Sequence, residues 1–276
     1  DAAGVALVRN EAVAMVSFTG SVGAGKAIMA TCSERLARVS LELGGNDAAI
    51  VLPDVDVAST AMAIFWSSMA FQGQNCFAIK RVFVHSSIHE AFVKALVAIA
   101  EGVAIGDPAE PSNQMGPLQN RPQYERVVAL LESVEAAPES RVHCGGLGAI
   151  RRDWHGTPGF FVPPTIVTGV ADDCALVAEE QFGPVLPILT FDDAEEAISR
   201  ANRGWAGLGG SVWTVDVQEG RRLAGMLEVG TAWVNQHGIV DPTIPFAGVK
   251  ESALGVTYGQ LGLYEFMSPF VLNVKR

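Results

Sequence analysis

Gly73-Gln74-Asn75-Cys76 places a lone cysteine after a glycine and two amide side chains. The preceding run, residues 65–72, is bulky and mostly apolar, so the small and polar residues beside the thiol indicate backbone that approaches a ligand. Alone, the pattern also fits an ordinary cysteine, because a free thiol is most often a small buried hydrophobic group. Upstream, Glu42 lies between Leu41 and Leu43 and precedes two glycines. That setting raises the pKa of a carboxyl group and suits a general base.

Length and composition fit a globular α/β protein with a sizeable core. The chain has 276 residues, of which 49% are hydrophobic, enough for one large domain or two smaller ones. The net charge of −11 argues against nucleic acid and anionic membranes as partners, since both attract basic surfaces. No apolar run approaches the ~20 residues of a bilayer-spanning helix. Residues 1–5 lack the basic and apolar regions of a signal peptide.

The four cysteines are widely spaced and form no Cys-x-x-Cys pair: Cys32, Cys76, Cys144 and Cys174. This pattern predicts neither a disulfide framework nor a zinc site, and it suits the reducing cytosol. The histidines show no ligand spacing either. We therefore expect a cytoplasmic protein without a bound metal.

Short apolar runs alternate with helical patterns, which predicts an α/β fold. The first run, residues 12–18, precedes a helical pattern from Gly25 to about Val39. Residues 20–26 nearly match the phosphate-binding loop of nucleoside triphosphatases, but Ala27 replaces the hydroxyl residue that would hold magnesium. Amide groups at a helix N-terminus favour an anion under either interpretation.

Three later patterns predict the limits of further elements. Pro53-Asp54 follows a buried-looking strand and predicts the start of a helix that runs to about Ala70. Ser87 is a predicted N-cap for a helix that ends near Gly102. The apolar tail, Phe270–Lys275, predicts a short strand without a local partner, which another chain or element has to cover.

Five motifs, in order along the chain, resemble those of the aldehyde dehydrogenase superfamily: Phe18-Thr19-Gly20-Ser21, Glu42-Leu43-Gly44-Gly45, Gly73-Gln74-Asn75-Cys76, residues 179–185 (Glu-Glu-Gln-Phe-Gly-Pro-Val) and the segment 245–259. The resemblance implies a catalytic domain built on a doubly wound, mainly parallel sheet, with a remnant of a Rossmann-like cofactor domain. It assigns residues 1–43 to the end of the dinucleotide-binding domain, 44–251 to the catalytic domain and 252–276 to a return segment and an oligomerisation strand. It also implies that the chain is the C-terminal part of a longer family sequence, and that by itself it binds a dinucleotide poorly and oxidises aldehydes slowly or not at all.

The resemblance also implies an NAD(P)-dependent oxidation of a small aldehyde to a carboxylic acid. Cys76 is then the nucleophile, through a thiohemiacetal and a thioester, and Glu42 activates the water that hydrolyses the thioester. The residues expected to contact NAD or NADP are Gly20, Ser21, Leu43, Gly44, Glu180 and Phe182. The residues expected to shape the substrate pocket are Asn75, Phe77 and Phe246.

The last motif departs from the family pattern at three positions. Ala247 and Ala253 replace glycines, and Thr257 replaces a glutamate. Alanine fits a glycine position only where φ is negative. The family also pairs its C-terminal strand between subunits, so we expect a homo-oligomer. An alternative function keeps this fold without redox chemistry, as a truncated paralogue, a structural protein or a thiol esterase.

Overall fold

The computed structural model describes residues 2–276, and its largest sheet is formed by strands from the middle of the chain. The strands are β1 (Met15–Thr19), β2 (Arg38–Glu42), β3 (Asp47–Val51), β4 (Ile79–His85), β5 (Arg141–Cys144), β6 (Arg151–Trp154), β7 (Thr157–Phe161), β8 (Thr165–Thr168), β9 (Val185–Phe191), β10 (Ala206–Gly207), β11 (Gly209–Trp213), β12 (Thr231–Val234), β13 (Val249–Lys250) and β14 (Ala253–Leu254). The helices are α1 (Ala2–Arg9), α2 (Val22–Ser33), α3 (Val57–Met69), α4 (Ser86–Glu101), α5 (Arg121–Glu135), α6 (Ala175–Ala178), α7 (Ala194–Ala201), α8 (Val217–Ala224) and α9 (Gly259–Glu265). In this part of the chain, no helix has the length and apolar character needed to cross a bilayer.

Seven strands form the main sheet in the order β12-β11-β3-β4-β9-β8-β5. All neighbours are parallel except β5, which runs antiparallel to β8. Every residue of β3 is buried, because helices cover both faces and a strand buried on both sides needs no polar alternation. Ala49 and Val51 pack towards α3 and α4, whereas Ala48 and Ile50 pack towards α7 and α8. The predicted doubly wound, mainly parallel sheet is therefore confirmed.

A smaller sheet joins segments that are far apart in the sequence. β1 and β2 are parallel, and β14 adds to β2 in the antiparallel sense, with Ala253 opposite Glu42. The Leu43 N–H also donates to the Ser252 carbonyl over 2.8 Å. Ala247 and Ala253 both have negative φ, as alanine at a glycine position requires. The division of the chain into domains at residues 43 and 251 stays a prediction.

Several predicted element boundaries were wrong. The helix expected to reach Val39 ends at Ser33, and Leu36 turns the chain with a φ of 55° so that Val39 lies in β2. The helix expected to begin at Pro53-Asp54 begins at Val57 instead, because Asp56 is the N-cap and accepts from the Ser59 N–H. In α4 the capping side chain is His85 and not Ser87.

The C-terminal tail does not form the predicted strand within this chain. Residues 267–276 contain no helix or strand, and the Phe270 side chain is 87% exposed. A strand is defined by the hydrogen bonds that it makes to a neighbour, and the described residues supply no neighbour for this tail. Its pairing with a second subunit stays a prediction.

Packing in the main sheet predicts a large cost for truncating one of its central side chains. Leu186 in β9 is fully buried, so Leu186→Ala should lower the free energy of unfolding by about 2–5 kcal/mol through lost burial and a residual cavity. Thr190 lies in the same strand but is exposed, and Thr190→Ala should change the free energy by about 0.5 kcal/mol or less. Urea titrations of both variants provide the measurement. Equal losses would contradict the packing described for β9.

Candidate active site

A cavity of about 860 Å³ opens where the two sheets meet. Thr19 at the end of β1 lines it, as do the first residues of α2 and the loop that precedes β4. Most of the predicted site residues belong to its lining: Gly20, Ser21, Leu43, Gly44, Asn75, Cys76, Glu180 and Phe182. Three predicted residues are not part of this lining: Glu42, Phe77 and Phe246.

The turn that leads into Cys76 has an unusual backbone. Phe71 and Gln72 both adopt left-handed conformations, with φ of 54° and 58°, which non-glycine residues rarely take and which cost of order 1–3 kcal/mol each. Gly73 also has a positive φ, of 70°, and a Cβ there would lie 2.4 Å from the Gly183 carbonyl oxygen. A glycine is therefore required where the sequence has one.

The Cys76 thiol is half-buried at the wall of the cavity. Its Sγ atom lies 3.7 Å from Asn75 Oδ1, which also accepts from the Phe77 N–H over 3.2 Å. Burial raises the pKa of the Cys76 thiol, and the positive charge of Lys80 opposes that rise. Within residues 2–276 the Cys76 N–H donates no hydrogen bond, so this amide is available to an oxygen that forms beside the sulfur.

Glu42 lies outside the lining of this cavity because it faces a different group of residues. Its Oε1 atom accepts a hydrogen bond from Thr257 Oγ1 over 2.9 Å. Burial raises the pKa of Glu42 to about 7, although the Thr257 hydroxyl lowers it in part. Thr257 in turn exchanges two backbone hydrogen bonds of 2.7 Å with Phe246.

Phe246 and Phe77 complete this second group. Their rings meet edge to face, with centroids 5.9 Å apart, and both Cys76 and Phe77 pack against the buried cluster that contains Phe246. Cys76 therefore borders the large cavity and also contacts the apolar cluster of Phe246, which Thr257 connects to Glu42 through hydrogen bonds. The three predicted residues outside the cavity lie together on this other side.

Glu180 is held against the backbone that follows Glu42. Its Oε1 atom accepts from the Gly45 N–H over 3.2 Å and lies 3.6 Å from Lys80 Nζ. A Cβ on Gly44 would lie 2.4 Å from Glu180 Oε2, so glycine permits this close approach. Burial raises the pKa of Glu180, against the opposing charge of Lys80.

The N-terminus of α2 is suited to a phosphate group. Ser21 caps the helix, and Ser21, Val22 and Gly23 line the cavity. A Cβ on Gly23 would meet no atom within 4 Å, which leaves room beside the free amide groups of the first turn. The residues present therefore fit the pyrophosphate of a dinucleotide. Lys26, which a triphosphatase loop would direct at phosphate, bonds to Glu251 instead over 2.8 Å.

The profile of the aldehyde dehydrogenase family matches residues 1–270. The chain belongs to the aldehyde dehydrogenase family. It is 39% identical over 263 residues to the betaine aldehyde dehydrogenase of Brucella anthropi, covering 95% of this chain and 53% of that protein.

Solved structures of family members resemble the fold closely. An NAD⁺ complex of the Bacillus cereus aldehyde dehydrogenase superimposes with a TM-score of 0.90 at 39% identity, covering 96% of this chain and 52% of that one. The Mycobacterium tuberculosis aldehyde dehydrogenase complexed with NAD⁺ gives a TM-score of 0.89 at 35% identity, with 95% and 53% covered. The chain thus spans about half the length of the relatives it matches.

Two buried side chains beside the cysteine were missed in the sequence. Lys80 is 2% exposed within β4, and His237 is fully buried after β12. A signal for Lys80 existed, since two adjacent cations stand in the otherwise apolar pattern of residues 79–84 and need buried partners. Nothing local marked His237. Among residues 2–276, no group of three or more His, Cys, Asp or Glu side chains is arranged to hold a metal ion.

The site geometry predicts which thiol reacts first. The described chain has four free cysteines. Cys76 alone among them lines the cavity, and Cys32 is buried. Iodoacetamide at neutral pH, followed by peptide mapping, should therefore modify Cys76 before Cys32, Cys144 or Cys174, because access and an adjacent cation favour its thiolate. Faster modification of Cys144 or Cys174 would contradict the assignment of the nucleophile.

Proposed function

We propose that the chain carries the catalytic residues of an NAD(P)-dependent aldehyde dehydrogenase, which oxidises a small aldehyde to the carboxylic acid. The observation that carries this proposal is the position of Cys76. On one side the thiol borders a cavity suited to a dinucleotide. On the other side it contacts the apolar cluster that contains Phe246, which is hydrogen-bonded to Thr257, the partner of the Glu42 carboxyl. An oxidation that proceeds through a covalent thioester needs an acceptor and a base around one nucleophile.

Cys76 begins the reaction as a thiolate. Its sulfur attacks the aldehyde carbonyl carbon, a C–S bond forms, and the carbonyl oxygen takes the negative charge. The unpaired Cys76 N–H is the donor that this chain offers to that oxyanion. Asn75 lies within 3.7 Å of the sulfur and helps to orient it.

The cavity is the proposed dinucleotide site. Gly20, Ser21 and the first turn of α2 would hold the pyrophosphate, and Leu43, Gly44, Glu180 and Phe182 would surround the nicotinamide end. When bound, NAD(P) supplies the acceptor for the hydride that leaves the substrate carbon. NAD⁺ is the dinucleotide present in the two complexes compared above, which favours NAD here.

Glu42 completes the reaction as a general base. It takes a proton from the water that attacks the thioester carbon, and the C–S bond then breaks to release the acid and the Cys76 thiolate. A carboxyl with a pKa of about 7 is suited to this step, because a base works best when its pKa lies near the working pH.

The side of Cys76 that faces Phe77 and Phe246 is apolar. Phe77 and Phe246 form one wall beside Cys76, which suits a small aldehyde. Several relatives are named betaine aldehyde dehydrogenases, so betaine aldehyde is a natural first compound to assay beside simple aliphatic aldehydes.

The test compares two reactions that differ in their need for the cofactor. NADH formation from an aldehyde should depend on Cys76 and disappear in Cys76→Ala. Hydrolysis of p-nitrophenyl acetate needs no NAD, and it should disappear in the same variant. Both are measured in the 276-residue chain and in the product of its whole coding sequence. Ester hydrolysis without NADH formation in either protein would favour the thiol esterase alternative. Absence of both reactions would refute the proposal.

The Glu42–Thr257 hydrogen bond predicts a pH dependence. Glu42 acts as a base only when ionised, so the rate of deacylation should rise with pH through a midpoint of about 7. The Thr257 hydroxyl stabilises the carboxylate, so Thr257→Val should shift this midpoint to higher pH, while Thr257→Ser retains it. Steady-state ester hydrolysis measures both profiles. Glu42→Gln should give a burst of nitrophenolate and then stall, and an unchanged steady rate would remove Glu42 from the mechanism.

We further propose that the exposed tail pairs with a second copy of the chain. Its apolar side chains, such as Phe270 and Leu272, are largely exposed within the chain, and an uncovered apolar segment favours association. Deletion of residues 270–276 should shift the mass measured by light scattering towards the monomer. An unchanged mass would contradict the pairing.

A further inference from the structure

Lys80 is a buried ammonium group that binds the backbone around the cysteine. Its Nζ atom donates to the carbonyl oxygens of Asn75, Cys76 and Ala78 over 2.7, 3.1 and 3.4 Å. An ammonium group has three N–H donors and no acceptor, so these three carbonyls use its full capacity. Because the side chain is 2% exposed, water does not compete for these bonds.

The remaining carbonyl of this stretch is held by a second buried side chain. His237 Nε2 lies 2.8 Å from the Phe77 carbonyl oxygen, and Nδ1 lies 2.9 Å from Ser211 Oγ. Trp213 Nε1 donates to the same Ser211 oxygen. Since a carbonyl can only accept, His237 carries a proton on Nε2. The same nitrogen lies 3.5 Å from Asp47 Oδ2, and both side chains are fully buried.

Four consecutive carbonyls, from residue 75 to residue 78, are therefore fixed by two buried donors. Rotation of any of these peptide groups would break a buried hydrogen bond, which costs about 1–3 kcal/mol per unsatisfied group. The same arrangement leaves the Cys76 N–H unpaired. Lys80 makes three of the four contacts.

Lys80 also links the cysteine turn to Glu180, another residue of the cavity lining. Its Nζ atom lies 3.6 Å from Glu180 Oε1, whose carboxylate is anchored to the Gly45 N–H. The charged groups that act on the Cys76 thiol are Lys80, Asp47 and Glu180. The two carboxylates disfavour a thiolate, and the ammonium group favours it.

We propose that Lys80 is a positioning residue that holds the cysteine turn in place and supplies the positive charge that stabilises the Cys76 thiolate. This proposal rests on the proposed function of Cys76 as the nucleophile. The side chain has two separable roles: its N–H groups fix the peptide carbonyls, and its charge offsets the negative charges of Asp47 and Glu180. A neutral side chain that still donates hydrogen bonds retains the first role and loses the second.

The test measures the rate of Cys76 alkylation by iodoacetamide as a function of pH, read by peptide mapping, with Cys174 in the same protein as the reference thiol. Lys80→Met should move the midpoint of the Cys76 profile to higher pH and lower the rate at neutral pH about tenfold or more. Lys80→Gln should show the same displacement, whereas Lys80→Arg should retain most of the rate. Lys94 is exposed on α4, and Lys94→Met is the control that removes one charge elsewhere and should leave the profile unchanged.

Two results would overturn the proposal. A Lys80→Met profile equal to that of the unsubstituted chain would exclude both roles, and a Lys80→Gln profile equal to it would exclude the role of the charge. If Lys80→Met does not fold, Lys80→Met/Glu180→Gln removes both buried charges, and its profile is compared with that of Glu180→Gln alone. Alkylation does not require NAD(P), so a displaced profile without NADH formation would refute the proposed oxidation and leave the role of Lys80 intact.

Discussion

The contact between Gly73 and Gly183 is the constraint on which the cysteine turn depends. The two backbones are so close that a Cβ on Gly73 would lie 2.4 Å from the Gly183 carbonyl oxygen. Gly183 belongs to the same short segment as Glu180 and Phe182, which line the cavity. One backbone contact therefore sets the distance between the proposed nucleophile and the proposed cofactor contacts, and the left-handed backbone of residues 71–73 is the strain that this approach requires.

Desolvation is the common electrostatic feature of the site. Burial raises the pKa of Cys76, Glu42 and Glu180, and each group has a partner that opposes the rise. Lys80 opposes it for the thiol and for Glu180, while the Thr257 hydroxyl opposes it for Glu42. The proposed chemistry thus depends on the balance between burial and a small number of named contacts, and single substitutions at those partners are expected to shift the titration of the group concerned.

Much of the fold and part of the site could be predicted from the sequence. Continuous apolar runs such as residues 48–52 marked strands buried on both faces, and the motif residues at Gly20, Gly44 and Glu180 do line one cavity with Cys76. Helix limits were less predictable, because they depend on which side chain caps the first turn. The roles of Lys80 and His237 could not be predicted, because both side chains act by hydrogen bonding to backbone carbonyl groups of the cysteine turn. Those carbonyl groups face them only after β4 and β12 enter the same sheet. Family membership is shown by the match of the family model to residues 1–270.

The pairing of β14 with β2 has a consequence for the time order of folding during synthesis. Glu42 and the Thr257 hydroxyl that it binds are separated by 215 residues. At ribosomal rates of about 5–20 residues per second, the partner emerges roughly 10–40 s after the carboxyl group. The main sheet can assemble during that interval, but the surroundings of Glu42 cannot be complete before the last segments arrive. A chain that terminates early would therefore contain the cysteine turn and most of the cavity, and it would lack the hydrogen bond that tunes the proposed base.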